Sequence, residues 1–256
     1  NRVYASTLFF THRYSLGFYR TKDKDGNIVK NANDTITLDS LTLSRLDSVQ
    51  VDSLQRLVEE RQHYTKEFVP VTSLNHSLRI DDYTRKYINN SIREGYYLDQ
   101  FYDGDSVKDQ TKHLNVSNTL SLQLHEGFNR WAQAGISIFG QHELMHCRLP
   151  MTRFTSKSYN ENRLTVGAKL QRTQGNILHY SIVGSTSSTG SNYGQFNADG
   201  NVELMLPLKK DTIQFMLHAN IRRDLPSFYY RHYHSQHAWW DNTNMENEFR
   251  TRIEGE

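Results

Sequence analysis

Residues 114–125 read Leu-Asn-Val-Ser-Asn-Thr-Leu-Ser-Leu-Gln-Leu-His, and the fold turns on how they sort. The even positions are Leu114, Val116, Asn118, Leu120, Leu122 and Leu124; the odd ones are Asn115, Ser117, Thr119, Ser121, Gln123 and His125. Successive side chains of a β-strand point to opposite faces. One face of this strand is nearly all aliphatic and the other entirely polar. The two faces meet different solvents.

The alternation returns along the chain. Ala132, Ala134, Ile136 and Ile138 interleave with Gln133, Gly135, Ser137 and Phe139, and Gln141 continues the second set. Leu164, Val166, Ala168 and Leu170 interleave with Arg163, Thr165, Gly167, Lys169 and Gln171. Leu178, Tyr180 and Ile182 follow, and then Phe196 to Leu206 on even positions against Gln195, Asn197, Asp199, Asn201 and Glu203. Ile213, Phe215, Leu217, Ala219 and Ile221 oppose Thr212, Gln214, Met216, His218, Asn220 and Arg222. Earlier strands fit Leu8 to Phe18 (with Leu16) and Thr72 to Ile80 (with Leu74), and a ninth begins near Phe249.

A soluble β-sandwich also alternates. These strands, however, run about 10 to 13 residues, which a tilted membrane strand requires, where about 5 or 6 is usual. Their polar faces carry Gln, Asn, Arg, Lys and Glu, and short turns alternate with long loops, as in outer-membrane barrels. The expected fold is all-β, an antiparallel up-and-down transmembrane β-barrel forming one domain over 1–256. An open sheet in lipid would leave edge backbone groups unpaired.

Composition agrees. The chain of 256 residues is 36% hydrophobic, and its mean hydropathy is −0.73. No apolar run approaches the roughly 20 residues of a spanning helix, whereas a barrel shows only alternate residues to lipid. The 15 Tyr, 12 Phe and 3 Trp suit the aromatic girdles at the two membrane interfaces. Net charge is +2 with Lys and Arg scattered, so nucleic acid is not expected as a partner. The single Cys147 excludes an internal disulfide. Asn-Arg-Val-Tyr at the start carries no leader, and the chain stops at Ile253-Glu254-Gly255-Glu256 in a strand-like pattern. It reads as part of a longer barrel, because single-chain barrels normally have an even strand count.

The tight turns Glu126–Arg130, Thr173–Asn176 and Lys209–Asp211 are expected on the periplasmic side. Segments 82–111, 147–160, 187–193 and 223–245 then face outward. A long polar insert at 22–66 falls on the periplasmic side unless a hairpin at Asp25-Gly26-Asn27 preserves the parity. The insert carries a loose repeat (Leu38-Asp39-Ser40-Leu41, Leu46-Asp47-Ser48-Val49, Val51-Asp52-Ser53-Leu54) and helical spacing at Leu54, Leu57, Val58 and Arg61. It reads as a polar excursion, with docking of a periplasmic or membrane protein as the alternative.

Two motifs invite chemistry. His142-Glu143-Leu144-Met145-His146 matches H-E-x-x-H, whose two histidines converge on zinc only on a helix. On a strand they stand roughly 13 Å apart, so the match reads as coincidence. The aromatic segment Phe228–Asp241 carries His232, His234 and His237, weak candidates for a metal site. It reads first as an interface girdle or a loop packed by its own aromatics. No Gly-x-Ser-x-Gly elbow occurs, and no catalytic residue, enzyme activity or cofactor is expected.

The run Phe9-Phe10-Thr11-His12-Arg13-Tyr14-Ser15-Leu16-Gly17-Phe18-Tyr19 resembles the putative porin family of the Bacteroidetes. So do Glu67-Phe68-Val69-Pro70-Val71-Thr72-Ser73, the stretch Phe228–Asn242, and Glu248-Phe249-Arg250-Thr251-Arg252-Ile253-Glu254-Gly255. The resemblance implies a bacterial outer-membrane barrel passing small solutes, and it brings no catalytic motif. From alternation alone, the expected lumen-facing residues are Arg13, Arg79, Gln123, His125, Gln133, Gln141, Arg163, Lys169, Gln171, Asp199, Asn201, Glu203, Gln214 and Arg222. The expected lipid-facing residues are Leu16, Phe18, Leu74, Leu120, Leu122, Ile136, Ile138, Leu164, Val166, Ile182, Leu204, Phe215 and Leu217. The expected function is passive diffusion of small polar solutes; the alternative is a scaffold subunit of an outer-membrane assembly or secretion complex.

Overall fold

The computed structural model describes residues 1–23, 25–29, 64–90, 95–128, 133–190, 193–208 and 211–256. Most of the 22–66 insert, with its repeat and helical spacing, lies outside them, as do Ala132 and parts of two tight turns. The described part of the insert reverses at Asp25-Gly26-Asn27. Asp23 N–H donates to the Asn27 carbonyl at 3.0 Å, and Lys22 bridges Ile28.

The alternating segments all form strands. They are β1 (Arg2–Lys22), β2 (Thr65–Asn89), β3 (Val107–Leu124), β4 (Gly135–Pro150), β5 (Ser156–Arg172), β6 (Leu178–Gly190), β7 (Phe196–Leu208), β8 (Asp211–Asp224) and β11 (Glu248–Gly255). Together they make one sheet of nine strands in sequence order, β1 to β8 and then β11. The pairings from β3 through β8, and between β8 and β11, are antiparallel. Sequence order needs only up-and-down connections, which suits strands following one another through short turns. A small second sheet pairs β9 (His232–His234) with β10 (Trp239–Asp241), after a single helical turn, α1 (Phe228–Arg231).

Several strands outrun the expected lengths. β4 and β5 extend to Pro150 and from Ser156, which reduces the expected 147–160 loop to 151–155. β2 and β3 likewise take the ends of the expected 82–111 loop. At the end of β4 the alternation changes sides, with Met145, Cys147 and Leu149 apolar on the otherwise polar face and His146 and Arg148 on the other, so the pattern reverses while the backbone ladder continues. Between β5 and β6 the register slips at Leu164/Thr165. Gly190 sits beside that slip with φ +88°, its Cα tight against the Asn162 carbonyl, where a Cβ would land 1.8 Å from the oxygen. Such backbone favours glycine.

The chain divides into two compact units, Asn1–Tyr14 with Ser73–Glu256, and Ser15–Thr72. In the second, Lys22 pairs with Glu67 at 2.6 Å, Gly17 takes the Phe68 ring and the Val69 carbonyl against its Cα, and Leu16 and Phe18 are exposed. Within the larger unit the partition of side chains runs opposite to that of a soluble domain. Among the described residues, Val107, Cys147, Leu149 and Phe228 are, apart from two prolines, the only buried apolar side chains. Along β3 the exposed positions include Leu114, Leu120, Leu122 and Leu124, while Ser117, Thr119, Ser121 and Gln123 are sheltered. Leu122 is 46% exposed, Ile138 56% and Phe215 53%, against 9% for Ser117 and 6% for Ser187. The apolar face looks outward.

Candidate functional site

Register carries the two faces across the sheet. Gln123 stands opposite Ser137, Ser137 opposite Lys169, Gln141 opposite Thr165, and Gln171 opposite Ser181. Ser181 then meets Asn201, His179 meets Glu203, Asn201 meets His218, and Asn197 meets Arg222. Arg13 donates to Asn75 Oδ1 at 2.6 Å, and Asn75 to Ser121 Oγ at 3.4 Å. His125 follows β3 and contacts the Ser73 hydroxyl at 2.7 Å. The structure thus brings Arg13, Gln123, Gln141, Arg163, Lys169, Gln171, Asp199, Asn201, Glu203, Gln214 and Arg222 onto one face. Arg79 lies on β2 with Asp81 at 2.8 Å, and Gln133 precedes β4 in the chain. Opposite them, Leu122–Ile138–Ala168, Leu170–Ile182 and Leu204–Phe215 run along the apolar face. Leu74, Leu120, Ile136, Leu164, Val166 and Leu217 belong to it as well.

Charge on the polar face is mostly paired. Arg163 meets Glu143 at 3.3 Å, His218 meets Asp199 at 3.0 Å and Glu254 at 3.6 Å, His179 meets Glu203 at 3.3 Å, and Arg222 meets Asp224 at 3.4 Å. A trough of about 680 Å³ lies along Phe9, Thr11, His12, Arg13, Asn75, Ser77, Thr119 and Ser121. Lys169 stands between Ser137 and Val183.

The apolar face carries a feature the alternation did not single out. His76 bridges His12 at 2.9 Å and Asn118 at 2.6 Å, while His142 meets Asn162 at 2.9 Å and His146 meets Asn160 at 2.6 Å. The two histidines of H-E-x-x-H are thus on a strand, each held by its own asparagine, and Glu143 points to the other face with Arg163. The signal lay in the pattern: Asn118 and His76 are the exceptions in otherwise apolar series.

The densest packing is on the polar face at one end of β3–β5, where the segment carrying α1, β9 and β10 folds over it. Phe228 packs against Cys147 and Leu149, flanked by Tyr159 and Tyr229. Arg231 pairs with Glu161 at 2.6 Å, and both side chains are largely buried. Asp241 accepts from Lys157 Nζ at 2.7 Å, from the Tyr159 hydroxyl at 2.8 Å, and from His232. Burial works against the Asp241 carboxylate, but these donors hold it well below the usual carboxylate range. His234 is fully buried, stacked on Trp239 at 3.6 Å and 3.0 Å from the Tyr159 hydroxyl. Burial pushes its imidazole below the ordinary value.

A second segment closes on the first. The Phe101 N–H donates to the Gln236 carbonyl at 2.9 Å, Gln236 Nε2 donates to Gly104 O at 2.9 Å, and Tyr102 donates to Asp109. His237 stacks on Tyr97 at 3.9 Å and donates Nδ1–H to Asp99 O at 2.8 Å. The histidines considered for a metal are therefore split, with His232 and His234 at Asp241 and His237 turned to Tyr97. The reading of Phe228–Asp241 as a loop packed by its own aromatics describes its interior. The anchoring residues Lys157, Tyr159 and Glu161 were missed, although they extend the odd series of Arg163 to Gln171.

Two opposed faces along nine sequential strands are the arrangement that matters for comparison. A family model described as "Putative porin" matches residues 1–256. The chain belongs to this family. No curated protein and no solved structure matches it. Membership gives the chain a porin-like role in general terms, and among the described residues no helix is long and apolar enough to cross a membrane.

Proposed function

We propose that the chain lies in the bacterial outer membrane as part of a β-barrel whose polar face lines an aqueous passage for passive diffusion of small polar solutes. The observation that carries this reading is the inverted partition of side chains. Leu120, Leu122, Ile136, Ile138, Ile182, Phe215 and Leu217 form a contiguous exposed face, far larger than a soluble monomer tolerates. Polar residues fill the sheltered face. Lipid against the first set and water against the second satisfies both. The lumen and lipid assignments of the individual residues belong to this proposal, as does treating 1–256 as one barrel domain with an insert at 22–66. The paired charges on the polar face suit a passage that binds its solutes weakly and lets them leave.

Single-channel recording of the full-length protein in planar bilayers tests the reading. Discrete, ohmic conductance steps are expected, and a folded protein that never conducts would overturn it.

A second reading is a barrel serving as scaffold in an outer-membrane assembly, with a partner met through 22–66 or through the outer face. The row of His12, His76, Asn118, His142 and Asn162 favours it, because polar side chains facing hydrocarbon find better company in another protein. Purification in mild detergent separates the two readings: a stable hetero-complex supports the scaffold, and a lone conducting barrel supports the porin.

A further inference from the structure

We propose that residues 225–247 are a seated restriction element that narrows the passage from within, held against the wall by Asp241 and Arg231. This rests on the reading of the polar face as the lining of the passage. By register, the wall side chains that hold the segment on β4 and β5, from Cys147 and Leu149 to Lys157, Tyr159 and Glu161, lie on the same face of the sheet as Glu143 and Arg163. Cys147 stands opposite Tyr159 and His113, and Leu149 opposite Lys157. These positions alternate with His142, His146 and Asn160 on the outer face. A segment packed there occupies the lining side of the sheet.

The attachment is built rather than incidental. Two charged side chains of the segment reach the wall, which supplies the complement of each: Asp241 takes Lys157, and Arg231 takes Glu161. Arg231 is further fixed by its own loop, donating Nε–H to the Pro226 carbonyl at 2.9 Å. Between these two anchors lies the only apolar core among the described residues of Cys147, Leu149 and Phe228. Removing one partner of the sheltered Arg231–Glu161 pair strands the other, which loosens a docked element far more than an exposed pair would; Asp241 holds the buried His232 besides the more exposed Lys157. The hairpin β9–β10 therefore stays docked as long as both pairs stand. The segment from Tyr97 to Gly104 braces it from the far side through Phe101, Gly104 and Asp99.

Cys147 is the chain's single cysteine and is 0% exposed beneath Phe228. It reports on the seat directly. The full-length protein, Asp241→Asn and Arg231→Met are compared, each first shown to be folded by heat-modifiable migration. Modification of Cys147 by a water-soluble maleimide is expected to be slow in the native protein and about tenfold or more faster in either variant. Single-channel conductance in the same variants is expected to rise clearly above the native value. The inference is overturned if native Cys147 reacts like an exposed thiol, if neither folded variant changes its labelling, or if labelling quickens while conductance stays the same. If neither the native protein nor the variants conduct although Cys147 is protected and released as expected, the passage reading fails and the restriction with it, while the docking of the segment stands.

Discussion

Asp241 gathers an ammonium, a phenol and an imidazole within reach of one carboxylate, and His234 lies buried at its edge between Tyr159 and Trp239. The groups facing the His234 ring are the Tyr159 hydroxyl, the Asp241 carboxylate at 3.4 Å and, more distantly, Lys157. Burial outweighs the acid and leaves the imidazole neutral, with its titration displaced below the ordinary 6.5. The unfolded segment therefore binds a proton more readily than the docked one. Docking is at full strength above about pH 6.5 and weakens as the pH falls from there toward the lowered value. Asp241 acts in a lower window, because its depressed titration keeps its contribution until the pH falls below its ordinary 3.8. Conductance measured between about pH 8 and 5 is expected to rise on the acid side of 6.5 in the native protein. In His234→Phe, which keeps a ring on Trp239 without a titrating nitrogen, that rise is expected to disappear. An unchanged pH response in this variant would place the switch elsewhere. Little of this cluster could be read from the sequence. Phe228–Asp241 announced itself by its aromatics and histidines, but Lys157 and Glu161 lie more than sixty residues away, and nothing local pairs them with the segment.

At the scale of the strand the sequence was far more legible, because period two is a local property of the chain. Leu122 and Gln123 are neighbours on β3 with opposite duties. Leu122→Arg is expected to cost about 2–4 kcal/mol if the apolar face meets the middle of a bilayer, while Gln123→Arg stays within about 0.5 kcal/mol. Urea titration of both variants folded into lipid vesicles checks the contrast. Equal costs would mean that water, not hydrocarbon, covers Leu122. A finer constraint sits at Gly167, where the Phe139 ring lies over the glycine and a Cβ would meet that ring at 2.4 Å and the Gly184 carbonyl at 2.7 Å. Gly167→Val is expected to destabilise by about 1–3 kcal/mol through displaced packing. Gly184→Ala, with open space at its Cβ, stays within about 1 kcal/mol in the same titration. Strand ends were the illegible part. Near Pro150 the alternation changes sides, with Met145, Cys147 and Leu149 on the otherwise polar face, so it cannot mark where the backbone ladder stops.

Across the whole molecule, the sequence could say that two solvents meet the sheet, but not how charge is distributed within the watery one. That distribution depends on register, which sets Arg163 against Glu143 and His218 between Asp199 and Glu254, and register is fixed by pairing between strands rather than by any one of them. The result is uneven. β7 carries acids at Asp199 and Glu203, β11 pairs its acids with arginines (Glu248 with Arg250, Glu254 with Arg252), and Lys169 on β5 stands opposite Ser137 and Val183. Fields from such side chains reach a passing ion only over roughly a Debye length, about 10 Å at 0.1 M salt. If the polar face lines the passage, discrimination between cations and anions should be weak in the native protein and sensitive to Lys169. Lys169→Glu is expected to move the reversal potential in a potassium chloride gradient toward cation preference, more strongly at low salt than at high. Arg2→Glu, at the exposed start of β1, should leave it where it was. A reversal potential indifferent to Lys169 at low salt would place the ion path away from the face on which that lysine lies.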